Sequence, residues 1–101
     1  MSINTEFSEN KSVYTIYING DFNFSMLQDF KNSYAAPDVP AAKIVVDFRD
    51  TEMIDSSALG MLLNMQKELD KADQEITIIN SKDFVKKILT ITNFEKKFSI
   101  E

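Results

Sequence analysis

Asp55, Ser56 and Ser57 place three oxygen-bearing side chains in a row. They lie between an apolar run that reads as a strand, 44–48, and the apolar run Met61-Leu62-Leu63-Asn64-Met65, which reads as a helix. Hydroxyls at the start of a helix have two common uses. A serine oxygen can accept a backbone N–H and cap the helix, which is worth roughly 1 kcal/mol. Alternatively, the hydroxyl can take up phosphate, because a helix N-terminus carries partial positive charge and unpaired N–H groups. On spacing alone, capping is the commoner role. Two serines after an acid, however, are more than one cap needs, and Asp55 can itself serve as the cap and free one serine.

Composition removes most rival chemistries. The chain has no Cys, which excludes disulfides, thiolate metal sites and cysteine nucleophiles. It has no His, which excludes a Ser-His-Asp triad, phosphohistidine and most zinc sites. No Gly-x-Ser-x-Gly elbow is present. A Ser-Lys dyad stays open, although the first lysine after the serine pair is Lys67. A carrier protein also attaches its prosthetic arm to a Ser after Asp at a helix start, but carriers are helical bundles and this chain is rich in strand signals. Asp47, Asp50, Glu52 and Asp55 lack the spacing of an oxygen-ligand metal loop and read as ordinary loop acids.

The elements that must position the serines follow from periodicity. Residues 13–18 are β-branched and aromatic and end at Asn19-Gly20-Asp21, a strand followed by a turn. Residues 3–8 read as a short strand pairing with them, with Glu9-Asn10-Lys11 as the turn. Ser25, or Asn23 slightly earlier, is a candidate cap for a helix carrying Met26, Leu27, Phe30 and Tyr34; Pro37 and Pro40 end it. The apolar run 44–48 suits a strand covered on both faces, and Arg49-Asp50-Thr51-Glu52 reads as a polar loop. The helix expected over 56–71 should turn Leu59, Leu62, Leu63, Gln66 and Leu69 to the sheet, with Met61 and Met65 off the centre of that side. Such methionines suit either an adaptable partner surface or peripheral core.

Asp73-Gln74 leads into a strand at 76–79. Ser81 is expected to cap a helix with Phe84, Val85, Ile88 and Leu89 inward, and 94–100 is expected to be a final edge strand with Phe94, Phe98 and Ile100 on one face. Lys82, Lys86, Lys87, Lys96 and Lys97 read as a solvated face interspersed with acids. The predicted order, β-β-α-β-α-β-α-β, gives an α/β fold: a mixed sheet with an N-terminal antiparallel hairpin and a parallel part, covered by helices. The turn from strand 44–48 into helix 56–71 then sits at the carboxyl ends of the parallel strands, where such folds place their sites.

The 101 residues and 44% hydrophobic content suit one domain over 1–101 with a single core. The polar start lacks a signal-peptide pattern, and no apolar run is long enough to span a bilayer. The expectation is a soluble cytoplasmic protein with no membrane insertion. A net charge of −5 disfavours nonspecific binding to nucleic acid or anionic lipid.

Asp55-Ser56-Ser57-Ala58-Leu59-Gly60, following a Val-Val-Asp-Phe strand, resembles the signature of the STAS domain. It is most similar to the stand-alone bacterial anti-sigma-factor antagonists. The similarity extends through Gly20-Asp21-Phe22-Asn23, which resembles the family's Gly-Glu-Leu-Asp, and through 81–89 and 93–98, so nearly the whole chain is covered. The resemblance implies a non-enzymatic switch that needs no cofactor of its own. Ser56 matches the phosphorylated serine; Asp55 and Ser57 flank it, and Asn23, Ala58, Leu59, Gly60 and Met61 are the expected partner-binding positions. Two positions depart from the family pattern: Ala58 stands where Gly is common, and Asn23 where Asp is common.

The implied partners are a serine kinase of anti-sigma-factor type, with an ATPase-kinase fold, and a PP2C-like serine phosphatase. The implied output is transcription or another process such as biofilm formation. The alternative within the same fold is a constitutive scaffold subunit of a transport complex.

Overall fold

The computed structural model describes residues 2–69 and 76–101. Ser2–Phe7 (β1) and Val13–Phe22 (β2) pair antiparallel, with Ile3 opposite Ile18 and Phe7 opposite Tyr14. In the turn between them, the Asn10 carboxamide oxygen accepts from the Ser12 N–H at 3.0 Å. β2 runs four residues beyond the strand expected at 13–18, because Gly20 does not end it. Gly20 adopts φ 92, a conformation open to glycine, and shifts the register of the strand instead.

A 3-10 turn, Phe24–Met26, leads into Leu27–Ser33 (α1). Asn23 rather than Ser25 caps this segment, accepting from the Ser25 N–H at 2.9 Å. Lys43–Asp47 (β3) is buried on both sides, as its continuous apolar run predicts: Ile44 and Val46 enter the core, and Val45 and Asp47 are also buried. Residues 51–54, expected to be largely loop, form Thr51–Ile54 (β4), a short parallel strand on β2. With two buried and two exposed residues, its pattern was too short to stand out in the sequence.

Ser56–Glu68 (α2) is the longest helix. Its inward side is Ala58, Met61, Leu62, Met65 and Leu69, so the two methionines are core, while Leu59, Leu63 and Gln66 are only half-buried. Leu62 and Leu69 face inward as expected, and the inward side is rotated by a fraction of a turn towards the methionines: the apolar positions fill more than half the helix circumference and leave the facing direction open. The last expected residues of this helix, 70–71, and Asp73-Gln74 lie outside the described residues.

Ile76–Ile79 (β5) pairs with β3, and Phe98–Ile100 (β6) pairs with β5, both parallel. The sheet order is β1-β2-β3-β5-β6, with β4 on β2. Between β5 and β6 lies Asp83–Ile91 (α3), which buries Val85 and Leu89 but exposes Phe84. Ser81 does not cap it; Lys82 holds the cap position without a side-chain bond, and the Ser81 hydroxyl is buried without a partner among the described residues. The edge strand expected over 94–100 is divided. Phe94–Lys96 is a 3-10 turn after left-handed Asn93, and it stacks the Phe94 ring on Phe98 at 5.2 Å.

A single hydrophobic cluster joins these elements. It takes alternate residues of the sheet (Tyr14, Ile16, Ile18, Ile44, Val46, Ile76, Ile78, Phe98) and the inward residues of all three helices.

Candidate functional site

The site forms where β2 and β4 end side by side. Gly20 donates its N–H to the Asp50 carbonyl at 2.9 Å, and Thr51 donates its buried hydroxyl to the Ile18 carbonyl at 2.7 Å. These bonds fix β4 in register, so Phe22 pairs with Ile54. Adjacent strands lie about 4.8 Å apart, and the next residues, Asn23 and Asp55, therefore leave the sheet as neighbours. Both have extended backbones, and both cap the helical segment that follows. The sequence separates them by more than thirty residues; β4 brings them together.

Asp47, at the end of β3, supports the turn that feeds β4. Its carboxylate is buried, accepting from the Arg49 N–H at 2.8 Å and the Asn80 side-chain amide at 3.1 Å. Phe48 beyond it is fully buried, with its ring centre 6.1 Å from that of Phe22.

At the head of α2 the three oxygen-bearing side chains divide their tasks. Asp55 is the cap, accepting from the Ala58 N–H at 2.9 Å. Ser57 is half-buried and donates its hydroxyl to the same carboxylate oxygen at 2.7 Å. Ser56 is exposed, is the first residue of the helix, and its hydroxyl forms no hydrogen bond among the described residues. A nucleophilic acceptor must be free and reachable, and of the two serines only Ser56 is both.

The Ser57 hydroxyl, and next the Ala58 N–H, hold the Asp55 carboxyl below its ordinary value. A depressed folded-state pKa stabilises the fold at pH above the unfolded value, and this stability is lost as pH falls through the folded value. Thermal melts from neutral pH into the acid range should show a steeper loss for the wild type than for Asp55→Asn, which keeps a capping oxygen but no charge. Parallel curves would contradict this assignment. Asp55→Ala, which removes the cap, should cost about 1 kcal/mol at neutral pH.

Beside this helix start, α1 and α2 enclose an open groove of about 260 Å³. α2 lines it with Ser57, Gly60, Met61 and Asn64, one face at helical spacing; Phe24, Leu27, Phe30, Lys31 and Tyr34 form the other wall. Its lower end is tied by Glu68, which accepts from the Tyr34 hydroxyl at 2.9 Å and the Asn64 amide at 2.8 Å. Burial, and next this bond to Glu68, raise the Tyr34 pKa, so the phenol stays a donor. Phe24 stands at the rim with 66% of its surface exposed.

The expected partner positions separate on this geometry. Asn23 and Gly60 lie at the rim and wall of the site. Met61 is mostly buried but contributes to the groove. Ala58 is fully buried, so its side chain belongs to the core, and Leu59 lies outside the groove-lining face. Phe24 and Lys31 escaped the sequence reading; an aromatic residue directly after a capping Asn, outside the apolar helical period, was the signal for the first. A Cβ added at Gly60 meets nothing within 4 Å. Gly60→Ala should therefore raise stability by about 0.5–1 kcal/mol, measured by chemical unfolding; a loss would mean that this backbone needs glycine.

Among the described residues, no group of three or more acidic side chains is placed to hold a metal ion. Among them also, no helix is long and apolar enough to cross a membrane.

The STAS-domain family model matches residues 4–101. The chain belongs to the STAS-domain family. A STAS-domain-containing protein of Pseudomonas aeruginosa (strain UCBPP-PA14) is 41% identical over 86 residues, covering 85% of each chain. Among solved structures, a candidate anti-sigma factor antagonist from Thermotoga maritima superposes with a TM-score of 0.80 at 20% identity, covering 97% of this chain and 84% of that one. The anti-sigma factor antagonist SpoIIAA in its unphosphorylated form gives a TM-score of 0.71 at 17% identity, covering 99% and 87%. The fold of this STAS domain is thus the mixed α/β fold of the SpoIIAA-like antagonists. In this STAS domain Asp55 caps α2, and Ser56 and Ser57 form its first turn.

Proposed function

We propose that this STAS domain is a phosphorylation-controlled partner switch. The observation that carries the reading is the division of labour at α2: Asp55 caps, Ser57 is held by Asp55, and the Ser56 hydroxyl is left exposed. In the unphosphorylated state, the start of α2, Asn23 and the Phe24-rimmed groove dock a kinase-fold regulator of anti-sigma-factor type. That partner, or a related kinase, transfers the γ-phosphoryl group of ATP to the Ser56 oxygen; the hydroxyl proton passes to the kinase's base, and ADP leaves. A PP2C-like phosphatase hydrolyses the phosphoserine and resets the switch. The ATP and Mg²⁺ belong to the kinase, and this chain acts as its substrate rather than as an enzyme.

The physics favours release over refolding. Phosphate adds a charge of about −1.5 to −2. The positive end of α2 tolerates it, so the fold persists. Asp55 next to it raises the local negative charge, and a docked partner would have to desolvate both. The constitutive scaffold alternative needs Ser56 only as a cap, a task that Asp55 already performs.

The test is binding of the purified domain to its cognate kinase-fold partner, with ATP or with a non-hydrolysable analogue. Binding that persists with the analogue and is lost with ATP, in step with modification of Ser56, is the expected result. Binding that is indifferent to ATP would favour the scaffold.

A further inference from the structure

We infer that β1 is a self-association edge, through which two copies of this chain join their sheets antiparallel about a two-fold axis at Thr5. The backbone fixes which groups face outward. Ser8 donates its N–H to the Val13 carbonyl at 2.9 Å, so the ladder bonds of β1 begin at that pair. At the far end of β2, Gly20 donates to the Asp50 carbonyl, on the side away from β1. Along an antiparallel ladder the bonding direction alternates from residue to residue. With the unbroken register from Ser2↔Asn19 to Phe7↔Tyr14, both ends agree. Ser2, Asn4 and Glu6 bond to β2, while Ile3, Thr5 and Phe7 turn their N–H and C=O groups outward. Among the described residues no strand lies beyond them, because β1 ends the sheet order.

Proteins guard such edges with lysine, proline, bulges or very short strands. The opposite edge is guarded: β6 has three residues and follows Lys96-Lys97. β1 has six residues and contains no Lys, Arg or Pro. Its one charge, Glu6, accepts from the Tyr17 hydroxyl at 3.5 Å, over β2 and away from the edge. Outward backbone groups demand an extended strand, and β1 complements itself. With Thr5 on the axis, Ile3 falls opposite Phe7 of the second copy and Asn4 opposite its Glu6. The outward residues of both copies then exchange about six backbone hydrogen bonds. The aromatic ring meets a β-branched residue, and each carboxylate meets a neutral amide. The next register, with Thr5 opposite Phe7, sets Glu6 against Glu6 and is disfavoured. Ile3 and Phe7 are only half-buried on their own core, and pairing covers their open side. α1 leaves room for this: a groove of about 420 Å³, lined by Ser2, Ile3, Thr5, Asp29, Asn32 and Ser33, opens beside the edge. The contact is small beside the roughly 1,200–2,000 Å² of a stable interface, so the dimer is weak and concentration-dependent. β4, which leads into α2, lies across β2 from this edge, so the inference does not rest on the switch at Ser56.

Sedimentation equilibrium of the full chain from about 10 µM to 1 mM, the range suited to a small interface, should show a reversible monomer–dimer equilibrium. Amide exchange followed by NMR should protect the N–H groups of Ile3, Thr5 and Phe7 at high concentration and release them on dilution. Those of Asn4 and Glu6 should stay protected throughout. Thr5→Pro removes an outward N–H without breaking the β1–β2 ladder, and should weaken the dimer about tenfold or more. Thr5→Lys, which sets two ammonium groups at the axis, should do the same and keeps the test intact should the proline variant lose β1; unchanged thermal melts verify folding. Asn4→Lys, opposite Glu6 of the second copy, should strengthen the dimer, and Ser56→Asp should leave it unchanged. The inference is overturned by a monomer over the whole range, by self-association that survives Thr5→Lys, by weakening with Asn4→Lys, or by concentration-dependent protection centred on β6 or α3.

Discussion

Ser56→Asp is expected to weaken the complex with the kinase-fold partner by on the order of 100-fold, close to 3 kcal/mol, while leaving the melting temperature nearly unchanged. The exposed Ser56 hydroxyl supports no structure: it makes no hydrogen bond among the described residues, and the capping bond belongs to Asp55. An acid in the first helical turn is itself favourable, by about 0.3–1 kcal/mol. The cost therefore falls on the complex, where a carboxylate next to Asp55 must be desolvated against the partner. Ser56→Ala should bind like the wild type and resist release by ATP. Ser57→Ala should still be phosphorylated on Ser56, because the Ser57 hydroxyl is engaged by Asp55 and is not the acceptor. Isothermal titration of the three variants checks the pattern. Should Ser56→Asp and Ser56→Ala both bind as the wild type does and both be released by ATP, the switch does not act through this residue.

Phe22→Ala should be the most damaging single change in the sheet, costing about 3–5 kcal/mol. Phe22 is fully buried, with its ring centre 5.1 Å from Phe30 on α1 and 6.1 Å from Phe48 beyond β3. It is also the residue that pairs with Ile54, so the cavity opens beneath Asn23 and Asp55 at once. For a chain of this size each kcal/mol lowers the melting temperature by about 4–8 °C. Urea unfolding measures the loss directly. Phe22→Leu, which keeps most of the volume, should lose much less. A loss under about 1 kcal/mol for the alanine variant would mean that the aromatic contacts do not hold the two strand ends together.

Elements whose signal is local were legible in the sequence. The β-branched run of β2, the apolar run of β3 and the Asp-Ser-Ser start of α2 each declare themselves within a few residues, and together with the resemblance they led to the mixed sheet and to a helix beginning at Ser56. Features decided by tertiary pairing were not legible. β4 is four residues long and half exposed; only its pairing with β2 makes it a strand, and it is β4 that places Asn23 beside Asp55. The facing direction of α2 was misread because Leu59, Leu63, Met61 and Met65 are all apolar, and the core alone selects the methionines. Phe84 was placed inward by its character; instead it is exposed on α3, and Val85 and Leu89 fill the core. The groove beside Ser57 depends on α1 meeting α2 through Tyr34 and Glu68, a contact between residues 34 apart in the chain.

The most direct measurement is phosphosite mapping by mass spectrometry on the protein isolated from its native cell, with and without phosphatase treatment. The account predicts a phosphate on Ser56, absent from Ser57 and removed by the phosphatase. A phosphate on Ser57 instead, or an unmodified Ser56 under conditions in which the kinase partner is active, would contradict it.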